Sequence, residues 1–282
     1  MSIRAYLGHL GLDGPLPPTL TTLRLLHRRH LERVPYENLQ TMLGQPPSVD
    51  PAASLQRVGA VGRAGYCLHQ NAVLELVLRD LGFTVERRHG HVWTTPEQRA
   101  APFLNHLALV VSGLPTEQNP RGRWWPDVGL GEGFLEPLPL VVGEVVDGPL
   151  RFTVTDVTEA GWSFRNDPGG TFVGLEVTRA STDPDAIHSA HEILSTAPTG
   201  VFSRILVVQH RDPSGLDTVR GCVRARVDAE GRHTTDLTSY DEWRAALVDL
   251  GLSLVGVAES DLRALFDRTL LAHEQWVAVG RP

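Results

Sequence analysis

The stretch Arg63-Ala64-Gly65-Tyr66-Cys67-Leu68-His69-Gln70-Asn71 joins a glycine-containing turn to the start of a predicted helix. From Cys67 to Leu81 apolar residues recur three and four positions apart, and Gly82 ends the pattern. Cys67 is therefore expected in the first helical turn, where unpaired backbone N–H groups and the helix dipole favour a thiolate. Arg63 is positioned to add positive charge. The alternative is that Cys67 packs as a small buried hydrophobe, the usual fate of a free cysteine.

Composition is that of an ordinary globular protein, with 41% hydrophobic and 21% charged residues. A chain of 282 residues can bury a large core, and this length predicts more than one domain. The net charge of -7 gives no support to a nucleic-acid partner or an anionic membrane surface. All 26 positive side chains are arginine, which excludes catalysis through a lysine Schiff base.

The cysteine and histidine patterns exclude two further classes of protein. Two cysteines are too few for a disulfide-stabilised secreted scaffold. No cysteine pair or H-E-x-x-H motif has the spacing of a metal site, so no metal is expected. The N-terminus lacks the apolar core of a signal peptide, and no segment approaches eighteen apolar residues. The sequence therefore predicts a cytoplasmic protein.

The predicted elements are first helical, then strand-rich, then mixed, which is typical of an α+β fold. Apolar spacing predicts helices at 19–33, 67–81, 184–194, 239–250 and 259–271. Turn residues separate short strands predicted at 83–87, 107–111, 124–128, 150–157, 172–177, 205–208 and 219–227. Cys222 is placed in the middle of the last strand, where we expect a structural role.

His106 and Asp127 are candidates for the base and the orienting acid that a cysteine nucleophile needs. His106 precedes a buried apolar run, where a histidine needs a hydrogen-bonding partner. Asp127 stands between apolar residues and a glycine-rich turn, where an unpaired buried carboxylate is costly. The alternatives are a core histidine with a backbone partner and a turn aspartate that caps N–H groups. Five further histidines lie in polar segments and rank lower: His89, His91, His188, His191 and His210.

These motifs together resemble those of the arylamine N-acetyltransferase family. Val34-Pro35-Tyr36-Glu37-Asn38-Leu39 is similar to its P-F-E-N-L signature, and residues 63–67 resemble its R-G-G-x-C nucleophile motif. His106 before an apolar strand resembles its catalytic histidine, and residues 127–131 resemble its D-V-G-F-G motif.

Two later segments extend the resemblance over essentially the whole chain. Residues 195–202 and 207–209 are similar to the family's S-x-x-P…F…Q segment, and all motifs stand in the family's order. The resemblance implies a helical bundle at 1–84 carrying the nucleophile and a β-barrel at 85–190 carrying the histidine and aspartate. It also implies an interdomain helix with an α/β lid at 191–282, around a core like that of cysteine proteases.

The implied reaction is ping-pong transfer of an acetyl group from acetyl-CoA to an arylamine or hydrazine. Cys67 would carry the acetyl group, His106 would act as the base, and Asp127 would orient the imidazole. The resemblance assigns the CoA site to Asn105, Gly131 and Trp93, and the acceptor site to Tyr36, Leu130 and Phe202.

Three residues depart from the family pattern: Ala64 replaces a glycine, His69 replaces a glutamate, and Leu130 replaces a phenylalanine. Ala64 is expected to constrain the backbone, His69 to change the local charge, and Leu130 to remove an aromatic wall. These changes leave open an amide synthase of the ansamycin macrolactam type, whose acyl donor is a polyketide carrier. A thioester hydrolase and a non-catalytic binding protein are also compatible with the sequence. The oligomeric state is open.

Overall fold

The computed structural model describes residues 3–196 and 198–281; Met1, Ser2, Ala197 and Pro282 lie outside it. The predicted α+β class is confirmed, with helices towards both ends of the chain and strands between them. Ala197 belongs to the segment compared with S-x-x-P, so that part of the resemblance falls outside the described residues. None of the described helices is both long enough and apolar enough to span a bilayer.

The first part of the described chain is helical. Its helices are α1 (Ile3–His9), α2 (Leu20–Arg33), α3 (Leu39–Met42), α4 (Pro51–Val61) and α5 (Cys67–Asp80). Thr19 begins α2 because its hydroxyl accepts the Thr22 N–H, and Asp50 begins α4 by accepting the Ala53 N–H. Apolar side chains from α1, α2, α4 and α5 form one core with residues of the strands that follow. Helix α5 is buried along most of its length, which makes it a rigid support for its first residue.

The middle of the chain forms an eight-stranded antiparallel sheet. After β1 (Tyr36–Glu37), its strands are β2 (Thr84–Trp93), β3 (His106–Ser112), β4 (Trp124–Trp125), β5 (Leu138–Pro139), β6 (Gly143–Asp147), β7 (Leu150–Thr155), β8 (Trp162–Arg165) and β9 (Gly174–Thr178). Their order across the sheet is β5-β4-β3-β2-β9-β8-β7-β6. Within the described residues the edge strands β5 and β6 do not pair, so the expected barrel is an open, curled half-barrel. Strand β5 is two residues long and ends at Pro139, which has no N–H to extend the ladder.

A second antiparallel sheet of five strands contains the later part of the chain. It is built from β10 (Val207–Asp212), β11 (Gly215–Arg220), β12 (Val223–Asp228) and β13 (Gly231–Asp236), with β1 paired to β10. Helix α6 (Pro96–Ala100) follows β2, and α7 (Pro184–Ser195) with a short turn of 3-10 helix at Val201–Ser203 precedes β10. Helices α8 (Tyr240–Asp249) and α9 (Glu259–Ala278) pack against this sheet through an apolar core.

The pairing of β1 with β10 joins the helical part of the chain to the second sheet. Tyr36 lies opposite Gln209, and Glu37 lies opposite Val208. The sequence predicts a boundary between two domains after residue 190, but helix α7 continues across this position. The three-part division of the chain stays a prediction.

Several predicted strands differ from those observed. The strand expected at 219–227 is a hairpin, because Gly221 and Cys222 turn the chain between β11 and β12. Cys222 is therefore in a turn and not in mid-strand, although it is buried. The strand expected at 124–128 stops after Trp125, since Pro126 cannot donate to the ladder. Helix α9 continues to Ala278, beyond the predicted end at 271.

Candidate active site

Cys67 is the first residue of α5, and its side chain is 3% exposed. Its thiol donates a hydrogen bond to the Asn105 carbonyl oxygen, 3.3 Å away. Tyr66, in an extended conformation, precedes the helix and offers no side-chain cap. Within the described chain the Cys67 backbone N–H makes no hydrogen bond, so a donor at the helix N-terminus is left free beside the thiol.

His106 begins β3 and is almost fully buried. Its Nε2 lies 2.7 Å from Asp127 Oδ2. Burial opposes protonation of the ring, but the charge and hydrogen bond of Asp127, together with the interaction with Cys67, raise the pKa of His106 to about 10. Because Asp127 occupies Nε2, Nδ1 is the ring nitrogen left for Cys67. The imidazole of His106 therefore keeps its proton at neutral pH beside Cys67.

Asp127 accepts four hydrogen bonds, two on each carboxylate oxygen. Oδ2 accepts from His106 and from Trp125 Nε1, the latter at 3.0 Å. Oδ1 accepts from Asn71 Nδ2 at 2.7 Å and from the Gly129 N–H at 3.0 Å. Asp127 therefore bonds both to the turn that follows it and to the imidazole of His106. Both carboxylate oxygens of Asp127 are therefore satisfied although the side chain is buried.

His27 supports the Asp127 backbone from the opposite side. The Asp127 N–H donates to His27 Nε2 at 3.0 Å, and His27 Nδ1 lies 2.9 Å from the Leu135 carbonyl oxygen. Since a carbonyl oxygen can only accept, His27 carries its proton on Nδ1 and is neutral. Burial lowers the pKa of His27, which agrees with this tautomer. The ring also stacks on Phe134 with an interplanar angle of 6°.

A second buried histidine supports the turn before Cys67. His30 Nδ1 accepts from the Tyr6 hydroxyl at 2.7 Å, and its Nε2 donates to the Gln70 side-chain oxygen. The Gln70 amide in turn donates to the carbonyl oxygens of Pro35 and Gly65, at 3.0 and 3.1 Å. Burial lowers the pKa of His30 to about 4, so this chain of hydrogen bonds stays neutral at pH 7.

Cys67 and His106 line a cavity of about 760 Å³, which is large enough for a small-molecule substrate. Three residues predicted to contact an acceptor, Tyr36, Leu130 and Phe202, also line this cavity. Phe202 stacks on Tyr66 with ring centroids 4.0 Å apart.

The residues predicted for CoA have three different environments. Asn105 lines the cavity, but its side-chain amide is bonded to the backbone N–H and carbonyl of Val92, at 2.7 and 2.8 Å. Gly131 has φ +72° and lies against the side chains of Gln209 and Tyr36, which leave no room for a Cβ. Trp93 is buried outside the cavity lining, with the Arg165 guanidinium 4.5 Å from its ring centroid.

Comparison with known proteins identifies the family. A family model described as N-acetyltransferase matches residues 19–255. The chain belongs to the arylamine N-acetyltransferase family. The arylamine N-acetyltransferase of Mycolicibacterium smegmatis is 35% identical over 148 residues, which cover 51% of this chain and 52% of that protein. The chain therefore spans about half the length of the curated relatives it matches.

Solved arylamine N-acetyltransferases share the fold over almost the whole chain. The Mycobacterium abscessus structure has 26% sequence identity and a TM-score of 0.80, and the match covers 95% of both chains. The Mycobacterium marinum enzyme, solved in complex with CoA, has 24% identity and a TM-score of 0.83. That match covers 95% of this chain and 99% of the M. marinum chain, and it shows the fold alone.

Two of the departures from the arylamine N-acetyltransferase motifs have different consequences in the structure: Ala64 leaves the backbone unstrained, whereas His69 puts a neutral group in the place of a charged one. Gly65, with φ +117°, adopts the left-handed conformation, and Ala64 does not, so Ala64 adds no strain. His69 is buried and its pKa is lowered to about 3, by burial and then by Arg57 and His191, so it is neutral. Arg63 donates to the Val255 carbonyl oxygen at 3.0 Å instead of pairing with Cys67.

Several residues that surround this site were missed by the sequence patterns or ranked too low. His91 has polar neighbours in the sequence, yet it is buried and lines the cavity. His191 has similar neighbours, but its Nδ1 lies 2.6 Å from the Tyr66 hydroxyl. No motif marks His27 or Trp125, although both contact Asp127. His27 lies on the same face of α2 as the buried apolar residues, and this helical spacing is the sequence feature that places it in the core.

A carboxylate–histidine cluster at the hairpin of β12 and β13 lies apart from the residues that line this cavity. Ligand atoms of Asp228, Glu230 and His233 lie within 4.8 Å of one another. Glu230 and His233 are exposed, and Asp228 also lies 3.7 Å from Arg226. Exposed acidic groups of this kind do not by themselves indicate a metal site.

Proposed function

We propose that the protein is an acetyl-CoA-dependent N-acetyltransferase that acts by a ping-pong mechanism through an acetyl-Cys67 intermediate. The acceptor is an arylamine or an arylhydrazine. The observation that carries this proposal is the set of Cys67, His106 and Asp127, of which Cys67 and His106 line a 760 Å³ cavity and Asp127 bonds to His106 from behind. Membership of the arylamine N-acetyltransferase family and the CoA complex of the M. marinum relative support the donor.

In the first half-reaction the Cys67 sulfur attacks the thioester carbonyl carbon of acetyl-CoA. The thiol proton is held on His106 Nδ1, and the carboxylate of Asp127 stabilises the imidazolium through Nε2. The free backbone N–H of Cys67 is the proposed donor to the oxyanion that forms on the carbonyl oxygen. When the C–S bond to CoA breaks, CoA leaves as a thiol with the proton from His106.

In the second half-reaction the amine nitrogen attacks the carbonyl carbon of acetyl-Cys67. His106 takes one proton from the nitrogen, and Cys67 leaves as a thiolate. The products are the N-acetylated amine and the starting thiolate–imidazolium pair. Tyr36, Leu130 and Phe202 are the proposed walls of the acceptor site, because they share the cavity with Cys67.

The proposed CoA contacts of Asn105, Gly131 and Trp93 rest on the family resemblance. Asn105 is adjacent to the thiol through its carbonyl oxygen, which supports a place beside the thioester. Gly131 lies against Tyr36, so its backbone borders the cavity wall. Trp93 adjoins Val92 and Thr94, which both line the cavity. A cytoplasmic location and the absence of nucleic-acid and membrane partners stay predictions from composition.

The test is intact-protein mass spectrometry after incubation with acetyl-CoA. We expect one acetyl adduct, which is lost in Cys67→Ala, is retained in Cys222→Ala, and disappears when an arylamine is added. Absence of the adduct would overturn the proposal and favour an amide synthase fed by a carrier protein. If acetyl-CoA is hydrolysed rapidly and the amine changes nothing, the protein is a thioester hydrolase. If Cys67→Ala leaves the activity unchanged, every account based on the thiol fails.

A further inference from the structure

Residues 127–135, here called the glycine loop, lie between the paired strands β4 and β5 and form no helix or strand. Three glycines stand at alternate positions from Gly129 onwards, which allows the backbone many conformations. Among the loop residues, all of which the structure describes, one backbone–backbone hydrogen bond forms, from the Glu132 N–H to the Leu130 carbonyl oxygen at 2.8 Å. The shape of the loop therefore depends on contacts with other parts of the chain.

The glycine loop contacts the candidate active site at three points. Asp127, at its start, bonds to His106 Nε2 at 2.7 Å. A Cβ at Gly129 would lie 2.8 Å from the Cys67 Cα, so the loop backbone lies directly against the start of α5. Leu130 lines the cavity. A shift of the loop would therefore move the partner of His106, the packing behind the thiol and one cavity wall together.

A single imidazole outside the glycine loop bonds to the backbone at both of its ends. His27 of α2 accepts from the Asp127 N–H at 3.0 Å and donates to the Leu135 carbonyl oxygen at 2.9 Å. Its ring stacks on Phe134, with the ring centroids 5.7 Å apart. The His27 side chain is fully buried, so water does not replace either bond. This pair of bonds requires a neutral ring with its proton on Nδ1, and burial holds the pKa of His27 below its ordinary value.

The other contacts between side chains and the glycine loop differ from that of His27. Three further side chains bond to the loop backbone, each at one position: Asn71, Asp147 and Arg211. Arg24 and Arg28 of α2 pair with Glu136, just beyond the loop, but these arginine side chains are 50% and 46% exposed. Exposed ion pairs contribute little to stability. His27 is therefore the buried group through which α2 holds both ends of the loop.

We propose that His27 is a positioning residue for acetyl transfer, which aligns Asp127 with His106 by holding both ends of the glycine loop. The inference rests on the proposed acetyltransferase function and assigns a role to a residue that does not touch the substrate. Without the imidazole, the Asp127 N–H is left buried and unsatisfied, which is costly. The start of the loop then moves towards another partner, and the Asp127 carboxylate loses its alignment with His106 Nε2.

The test is the pH profile of iodoacetamide alkylation at Cys67 in three variants of His27. His27→Phe keeps the ring and loses both bonds. In His27→Gln the side-chain oxygen reaches the position of Nε2 and accepts from the Asp127 N–H. In His27→Asn the NH₂ group reaches the position of Nδ1 and donates to the Leu135 carbonyl oxygen, but the bond to Asp127 is lost.

We expect the alkylation rate at pH 6 to fall about tenfold in His27→Phe and in His27→Asn, because a misaligned Asp127 no longer sustains the protonated His106 that favours the thiolate. His27→Gln should restore the rate to within about threefold of wild type. A wild-type profile in His27→Phe or His27→Asn would overturn the proposal. A loss in His27→Gln as large as that in His27→Phe would overturn it as well. His27→Asn carries the test if His27→Phe does not fold.

Two controls separate positioning from a general loss of structure. Arg28→Gln breaks the exposed link between α2 and Glu136 and leaves His27 in place. Leu247→Ala removes a fully buried side chain from the core between α8 and the second sheet, so it destabilises the protein away from the glycine loop. Both should keep the wild-type alkylation profile. If either shifts the profile as far as His27→Phe does, the effect of His27 is structural and the proposal is wrong.

Acetylation by acetyl-CoA distinguishes failure of this inference from failure of the proposed function. The acetylation rate of Cys67 should fall about 10- to 100-fold in His27→Phe, because small displacements of catalytic groups have effects of this size. Alkylation needs no acetyl-CoA. If acetyl-CoA does not acetylate wild type, the acetyltransferase proposal falls, and the alkylation profiles still decide whether His27 positions Asp127.

Discussion

Replacing Asp127 by asparagine should disable the site more severely than its small change in shape suggests. The carboxylate accepts four hydrogen bonds, from His106 and Trp125 on one oxygen and from Asn71 and the Gly129 N–H on the other. Asparagine offers only one oxygen. Its NH₂ group must therefore face two N–H donors, whichever way the amide is turned.

The magnitude follows from those two lost bonds. A hydrogen bond to a charged acceptor contributes about 1.5–3 kcal/mol, so Asp127→Asn should lower the free energy of unfolding by about 3–6 kcal/mol. The pKa of His106 should also fall from its raised value, because the charge and hydrogen bond of Asp127 sustain it. The imidazolium at neutral pH is then lost. We expect a decrease in kcat of about 10³–10⁴-fold, since the same exchange in a serine protease costs about 10⁴.

The assay combines urea unfolding at 15 °C with the pH profile of iodoacetamide alkylation at Cys67. Trp125→Phe is the matched variant, because it removes one donor to Asp127 and keeps the negative charge. It should lose about 1–3 kcal/mol of stability and retain the alkylation profile of the wild type. A loss of stability below about 1 kcal/mol in Asp127→Asn, together with a wild-type alkylation rate at pH 6, would show that these hydrogen bonds do not sustain the site.

Three further predictions concern the thiols, the turn behind Cys67 and the buried histidines. Alkylation of Cys67 should stay fast well below the free-thiol pKa of about 8.5. Cys222, whose pKa burial raises to about 11, should react slowly. Equal pH profiles of alkylation for the two thiols would contradict a pairing of Cys67 with the His106 imidazolium. Gly129→Ala places a Cβ 2.8 Å from the Cys67 Cα. The free energy of unfolding should therefore fall by about 1–3 kcal/mol, and acetylation of Cys67 should slow. An unchanged acetylation rate would refute the prediction that the Gly129 turn positions Cys67. His30 and His69 have pKa values lowered by burial to about 4 and about 3, so their contribution to stability is present above pH 6.5 and is lost as pH falls. Urea unfolding should show a loss of roughly 2 kcal/mol for each histidine between pH 7 and pH 5, and a flat profile would exclude the neutral buried state.

Local patterns predicted the elements well where propensity and burial agree. The apolar spacing from Cys67 to Leu81 predicted a helix that the structure ends at Asp80, and Thr19 begins α2 where the pattern starts. The prediction at 219–227 failed because Gly221 is a single turn residue between two runs of alternating valine and arginine, and one glycine does not by itself separate two strands. Only pairing between β11 and β12 shows that Cys222 is at the bend.

Sequence alone determined that Cys67 stands at a helix start, and that a histidine and an aspartate with suitable neighbours occur later in the chain. Those properties are local, because they depend on periodicity, turn residues and the cost of burying a charge. Tertiary structure decided the rest. The fold brings His27 to the Asp127 backbone, although the two residues are 100 positions apart in the chain. The short strand β5 leaves the half-barrel open. Arg63 donates to the Val255 carbonyl oxygen instead of pairing with Cys67. Arg204, Arg220 and Glu132 line one cavity only because two sheets and α9 converge there, and no local pattern encodes contacts between elements so distant in the chain.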